Sequence, residues 1–150
     1  MKNSNLINAL IVAQSSIESV KNDATNPAFN SGYSTLKSVI DTVKKPLNEN
    51  GIYFQQIAHD RDGGIGIETI LHGHGDSLSS GVVFIPAVKT NPHGFGSALS
   101  YAKRYSLMLA CGIASGDDDG NSAMQGFERE PKVAKEKTVA TKTTYSDAKF

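Results

Sequence analysis

The chain has 150 residues, with 15 Lys and Arg balanced by 15 Asp and Glu, so its formal charge is zero. That length supports one domain with a real core, and the charge balance gives no support to a strongly basic duplex-DNA binder. A single cysteine rules out an intrachain disulfide, and no apolar run is long enough to span a bilayer.

The N-terminus carries no signal-peptide pattern, which together with the lone cysteine points to a soluble intracellular protein. Charge is unevenly spread. Residues 1–121 hold nine basic and eleven acidic residues, and residues 122–150 hold six and four. Any nucleic-acid site must therefore be a local basic patch on a near-neutral body.

Residues 5–22 predict a first helix. Leu6, Leu10, Ala13, Ile17 and Val20 share a face, and Ser4 or Asn5 can cap it. Ile7 and Ile11 add a second apolar edge, open to tertiary packing or to another subunit. Residues 23–33 read as a loop, with turn chemistry at Asn26-Pro27 and Asn30-Ser31-Gly32. A second helix should begin near Ser34, with Leu36, Val39, Ile40, Val43 and Leu47 as its stripe. Pro46 kinks it or starts its last turn, and Gly51 stops it.

The periodicity then changes from 3.6 to 2. Ile52 to Ala58, Ile65 to His72 and Leu78 to Ile85 are strand candidates, separated by the turns DRDGG (60–64) and GHGD (73–76). Three strands joined by short turns make an antiparallel meander. In the middle strand Ile65, Ile67, Thr69 and Leu71 fall on one side, and Gly66, Glu68, Ile70 and His72 on the other.

Asn91 to Asn121 reads as one long helix ending in an acidic loop. Asn91 is a good N-cap, and Pro92 sits where its missing N–H is harmless. A helical wheel puts Phe95, Ala98, Leu99, Ala102, Tyr105, Leu109 and Ile113 on the core side. Gly96, Ser97, Ser100, Lys103, Arg104, Leu107 and Cys111 fall on the other. Lys103 and Arg104 are the only charges from Pro92 to Gly116. Small side chains beside two cations suit a phosphate chain. A surface helix that carries two basic residues fits the spacing equally well.

The fold class is thus α+β. Its core is a three-stranded antiparallel meander with a long helix packed on it, preceded by two helices. Residues 1–121 form the core domain. Residues 122–150, polar and Lys- and Thr-rich, form a flexible tail, where a protein partner has room to dock. No G-x-x-x-x-G-K-[ST] phosphate loop is present, so neither ATP nor another cofactor is expected.

Two stretches carry a family resemblance. The first is NPAFNSGYSTLKSVIDTVKKPLNENG, residues 26–51, and the second FGSALSYAKRYSLMLACGIASGDDDGN, residues 95–121. Both resemble the ERF (essential recombination function) family of phage single-strand annealing proteins. In the first, Asn26, Pro27, Phe29, Ser31, Tyr33, Leu36, Val39, Val43, Pro46, Leu47 and Gly51 match its pattern. In the second, the Phe-Gly-Ser-Ala, Tyr-Ala-x-Arg-Tyr, Gly-Ile-Ala and Asp-Asp-Asp-Gly-Asn elements match. The likeness covers about residues 5–121.

The resemblance implies a β-β-β-α core in a ring or arc of subunits. It implies single-stranded DNA binding and ATP-independent annealing in homologous recombination, with no catalysis. It also implies residence in the cytoplasm of a bacterial host and no membrane partner. Lys103 stands where the family usually has Arg, and Arg104 matches. Both become phosphate contacts, with Ser97 and Ser100 between them and the strand. Tyr33, Tyr101 and Tyr105 match as well. Tyr105 points into the expected core stripe, whereas Tyr101 at its edge is free to take a structural or a stacking role. One departure concerns Asn30 and Gly32, where the family often has Lys. Lys37, Lys44 and Lys45 are nearby cations that can compensate, or else a solvated helix face.

Asp117, Asp118 and Asp119 follow the helix C-terminus, where acid is electrostatically unfavourable. Mg²⁺, a neighbouring subunit's cations or the shaping of a groove by repulsion can each account for them, and a structural or intersubunit role is the reading adopted. His72, His74 and Asp76 make H-x-H-x-D, either a metal site or an exposed Gly-rich turn. Two alternatives to annealing remain: a metal-dependent nuclease or hydrolase using His72, His74 and the Asp cluster, and a structural oligomer without nucleic-acid binding. Cys111, among small and apolar neighbours, is expected to be inert.

Overall fold

The computed structural model describes residues 5–26, 31–89 and 91–114. The tail and Asp117–Asp119 lie outside them.

Helix α1 spans Asn5–Ser16 and buries Leu6, Ala9, Leu10 and Ala13. It stops well short of residue 22, where the apolar spacing placed its end. The Ser15 and Ser16 hydroxyls both donate back to the Val12 carbonyl, a local alternative to continuing the helix. The expected face nonetheless holds together: Val20 is buried and Ile17 packs against the same core.

Two short strands form within the stretch expected to be a loop. Strand β1 (Ala24–Asn26) pairs antiparallel with β2 (Ser31–Tyr33), Ala24 opposite Tyr33. Three-residue strands are too short to show alternation. Helix α2 (Leu36–Glu49) follows, capped by Thr35, whose hydroxyl accepts from the Ser38 N–H at 3.2 Å. Val39, Val43 and Leu47 are its buried stripe, and Pro46 is accommodated inside it.

Strands β3 (Ile52–Arg61), β4 (Gly64–Gly73) and β5 (Asp76–Pro86) form the expected meander in the order β3-β4-β5. The register sets Phe54 opposite Leu71, Gln56 opposite Thr69 and Ala58 opposite Ile67. Those residues share the inner face, which the helices cover. One irregularity, between Glu68 and Ile70, shifts the register against β5. On the outer face Tyr53, Ile57, Val82 and Phe84 are exposed.

Helix α3 (Pro92–Cys111) crosses the inner face. Asn91 caps it through its side-chain oxygen, 2.8 Å from the Gly94 N–H. Gly112 ends it at φ 66°, in the left-handed region that glycine adopts at no steric cost. Gln14 of α1 donates to the Cys111 carbonyl at 3.0 Å, tying the two chain-distant helices together.

The stripe expected on α3 needs correction. Ala98 and Ala102 are buried, but Leu99, Tyr105 and Leu109 are exposed. Leu107, Met108, Cys111 and Arg104, placed by the wheel largely on the open side, are buried instead. The cause is that α3 has different neighbours along its length. Its Ala98 and Ala102 turns are covered where the sheet passes beneath. Its last turns join the cluster formed by Leu6, Leu10, Val39, Val43, Leu47, Ile52 and Leu71. A single wheel cannot describe a helix that buries different sides in its two halves.

The α3–sheet contact is also partly polar. Thr69 Oγ1 and Ser106 Oγ lie 2.7 Å apart, both fully buried. Gln56 Nε2 donates to Thr69 Oγ1 at 3.1 Å and to the Lys103 carbonyl at 2.8 Å.

Candidate nucleic-acid interface

Two motif blocks far apart in sequence meet where β2 and the start of α2 pass over α3. The link between β2 and α2 lays the Ser34 carbonyl against Arg104, whose Nη1 donates to it at 2.8 Å. Three tyrosine rings surround the guanidinium. Its Cζ lies 5.2 Å from the centroid of Tyr33, 4.8 Å from Tyr101 and 4.9 Å from Tyr105. The positive charge is favoured over the negative ring faces. Among the described residues no carboxylate pairs with Arg104. Hydrogen bonds and rings hold it in place, and its charge is not cancelled.

A cleft of about 310 Å³ opens beside it, lined by Tyr33, Thr35, Leu36, Lys37, Ser100, Tyr101 and Arg104. It contains two cations and no acid. Ser100 sends its hydroxyl back to the Gly96 carbonyl, as helical serines do, leaving oxygen lone pairs outward. Tyr101 also walls a second cleft of about 490 Å³ toward the start of α3, which includes Ser97, Lys89 and His93 and again no acid. The two clefts share Tyr101 as a wall and both lie against α3.

The structure thus brings Tyr33, Lys37, Ser97, Ser100, Tyr101 and Arg104 onto one flank. Arg104 is 8 % exposed rather than lying open. Lys103, its sequence neighbour, lines neither cleft, because one residue along a helix is a rotation of ~100°. Lys37 pairs with Asp41, and Lys45 pairs with Glu49 at 3.8 Å, both along the exposed side of α2. Lys44 is exposed and, like Lys45, lines neither cleft. Surface pairs of this kind are weak and yield readily to a phosphate.

A larger cleft of about 540 Å³ between α2 and the segment after α1 is a poor competitor. Its lining sets three cations, Lys21, Lys37 and Lys45, against four acids, Glu18, Asp23, Asp41 and Glu49, a net negative balance that repels an anionic chain. The Asp23 carboxylate is engaged there as a clamp. It accepts from the Thr35 hydroxyl and from the Thr35 N–H, each at 2.7 Å, and these bonds hold its pKa below the ordinary value.

His72, His74 and Asp76 do not converge. His72 stacks on Tyr53, with ring centroids 4.9 Å apart, on the outer sheet face. The His74 Nε2 lies 2.8 Å from the Asn50 carbonyl, and Asp76 accepts from the Ser77 N–H. Among the described residues no group of three His, Cys, Asp or Glu side chains is placed to hold a metal ion. Burial pushes the Cys111 thiol up to about 12, so it stays protonated at neutral pH. No helix among the described residues is long and apolar enough to cross a membrane.

Sequence reasoning missed Lys89, Val88 and His93 as wall residues, and the Ser34 carbonyl as the anchor of Arg104. One signal was present: Lys89 is the lone cation between Arg61 and Lys103, two residues before the N-cap of the long helix.

An antiparallel meander backed by one long helix, with a tyrosine-lined, acid-free cationic cleft along that helix, defines a β-β-β-α module suited to an anionic chain with flat faces. The family model described as the ERF superfamily matches residues 6–147, and the chain belongs to that superfamily. Membership supports a general role in recombination by single-strand annealing. The match continues past Asn121, into the segment set apart as a tail. No curated protein and no solved structure matches the chain.

Proposed function

We propose that this protein binds single-stranded DNA along the α3 clefts and pairs complementary strands without ATP, as an oligomeric ring or arc. The observation that carries this reading is Arg104: a buried guanidinium with no carboxylate partner among the described residues, beside a cleft that adds Lys37, Tyr33 and Tyr101. Phosphates neutralise the cations, and bases stack on exposed ring faces without sequence preference. Few cations per subunit give weak contact alone. Repetition along one continuous strand multiplies it.

Two apolar surfaces exposed among the described residues support assembly. One is the outer sheet face with Tyr53, Ile57, Val82 and Phe84. The other is a ridge on α3 with Tyr105 and Leu109, one turn apart. Two distinct patches on one subunit allow head-to-tail contact, which closes into rings or extends as arcs.

The test is oligonucleotide binding across a salt series. Lys37→Ala should weaken binding to all sequences alike and flatten the salt slope by ~0.7 for one lost phosphate contact on a single strand. Lys45→Ala, outside the clefts, should change neither. An equal effect of both substitutions, or of neither, would remove the clefts from this account.

A further inference from the structure

The second cleft along α3 differs in character from the first. Its walls are Ile85, Pro86 and Val88 on the β5 side and Ala98 and Tyr101 on the helix, with Lys89 beside them. It is an apolar slot with a cation at its edge. Val88 is 96 % exposed, an apolar side chain that no other described residue covers.

Backbone contacts hold the slot's loop side in place. The Lys89 carbonyl rests on Gly94 so closely that a Cβ there would sit 2.1 Å from its oxygen. Ala87 is held on the other side by its N–H, which donates to the Gly63 carbonyl at 2.9 Å. Val88 and Lys89 are thus anchored by the Ala87 bond on one side and packed close against Gly94 on the other.

We propose that this slot takes one unstacked nucleobase of the bound strand per subunit. The inference rests on the single-strand reading of the neighbouring cleft and says what lies beside it. A nucleotide joins a base with apolar faces and polar edges to an anion, and the slot offers apolar walls for the faces beside Lys89 for the anion. Tyr101 is common to both clefts, so a strand whose phosphates lie by Arg104 and Lys37 carries its next base past the slot. A base turned out of its stack needs such a partner to repay the lost stacking.

The experiment uses the full chain and two oligonucleotides of equal length, one of thymidines and one of abasic sugar-phosphate units with the same charge. Val88→Ser removes an apolar wall of the slot at an exposed position outside the core and away from the phosphate contacts. It should cost about fivefold or more in affinity for the thymidine strand. Affinity for the abasic strand and the salt slope on both should stay at the wild-type values. Unchanged affinity for thymidine, or an equal loss on the abasic strand, overturns the proposal while leaving DNA binding intact. A shift in oligomer size without DNA, with no base-dependent loss, assigns the slot to a side chain of a second copy and also overturns it. Wild-type protein that binds neither strand fails the underlying reading itself.

Discussion

Arg104 and Ser34 stand seventy residues apart in sequence, and the guanidinium of one donates to the carbonyl of the other at 2.8 Å. That bond fastens the β2–α2 link onto α3 and makes the cleft a feature of two elements rather than one. It also makes Arg104 structural and electrostatic at once.

Arg104→Ala should therefore lower stability by about 1–3 kcal/mol, because it leaves a buried carbonyl without a donor. Arg104→Lys keeps the charge but loses the planar fork and its fit among three rings. It should retain more DNA affinity than stability. Thermal unfolding and binding measured on both variants separate the two roles. A folded Arg104→Ala protein with wild-type affinity would strip Arg104 of any part in binding.

Thr69 and Ser106 form a buried pair, 2.7 Å apart, that Gln56 joins from β3. Each single substitution, Thr69→Val or Ser106→Ala, should destabilise by about 1–2 kcal/mol by stranding a polar partner. The double variant should cost less than the sum. Denaturant unfolding of the four proteins gives the coupling directly. Strict additivity would mean that the two hydroxyls do not depend on each other.

Gly94 and Gly96 lie two residues apart on α3 and should respond with opposite sign to alanine. At Gly96 an added Cβ meets nothing within 4 Å, so Gly96→Ala should stabilise by about 0.5–1 kcal/mol through helix propensity. At Gly94 the Cβ would run into the Lys89 backbone at 2.1 Å. Gly94→Ala should therefore destabilise by about 1–3 kcal/mol despite the same propensity gain. Melting temperatures of the two variants decide it. A Gly94→Ala protein as stable as wild type would show that the loop yields freely.

Folding lowers the Asp23 pKa, through the Thr35 hydroxyl first and the Thr35 N–H second. Glu68 shifts the same way, through Ser79 first and His59 second. A carboxyl lowered on folding contributes stability that is present above its ordinary pKa and lost as pH falls through the folded value. Acid should thus destabilise the protein below the ordinary carboxylate range, and Asp23→Asn should flatten that dependence. Urea unfolding from neutral pH down to about pH 3 reads the slope. An Asp23→Asn curve parallel to wild type would mean that the Thr35 bonds do not survive in solution.

Much of this architecture is legible in the residues themselves. Alternation of Ile65, Ile67, Thr69 and Leu71 gives the inner face of β4, because a strand's period of two is set by its own backbone. Asn91-Pro92 gives the start of α3, because capping is a local bond between near neighbours. The two motif blocks name the family before any contact is known. Local order cannot supply what depends on distant partners. The β1–β2 pairing joins segments too short to carry a period. The buried side of α3 changes halfway along, since the sheet covers one part and α1 and α2 clasp the other. Arg104 reads as an exposed cation until Ser34 and Tyr33 are folded over it. Side-chain direction along each element follows from the chain's own geometry, whereas which side is covered depends on what the rest of the molecule brings to it.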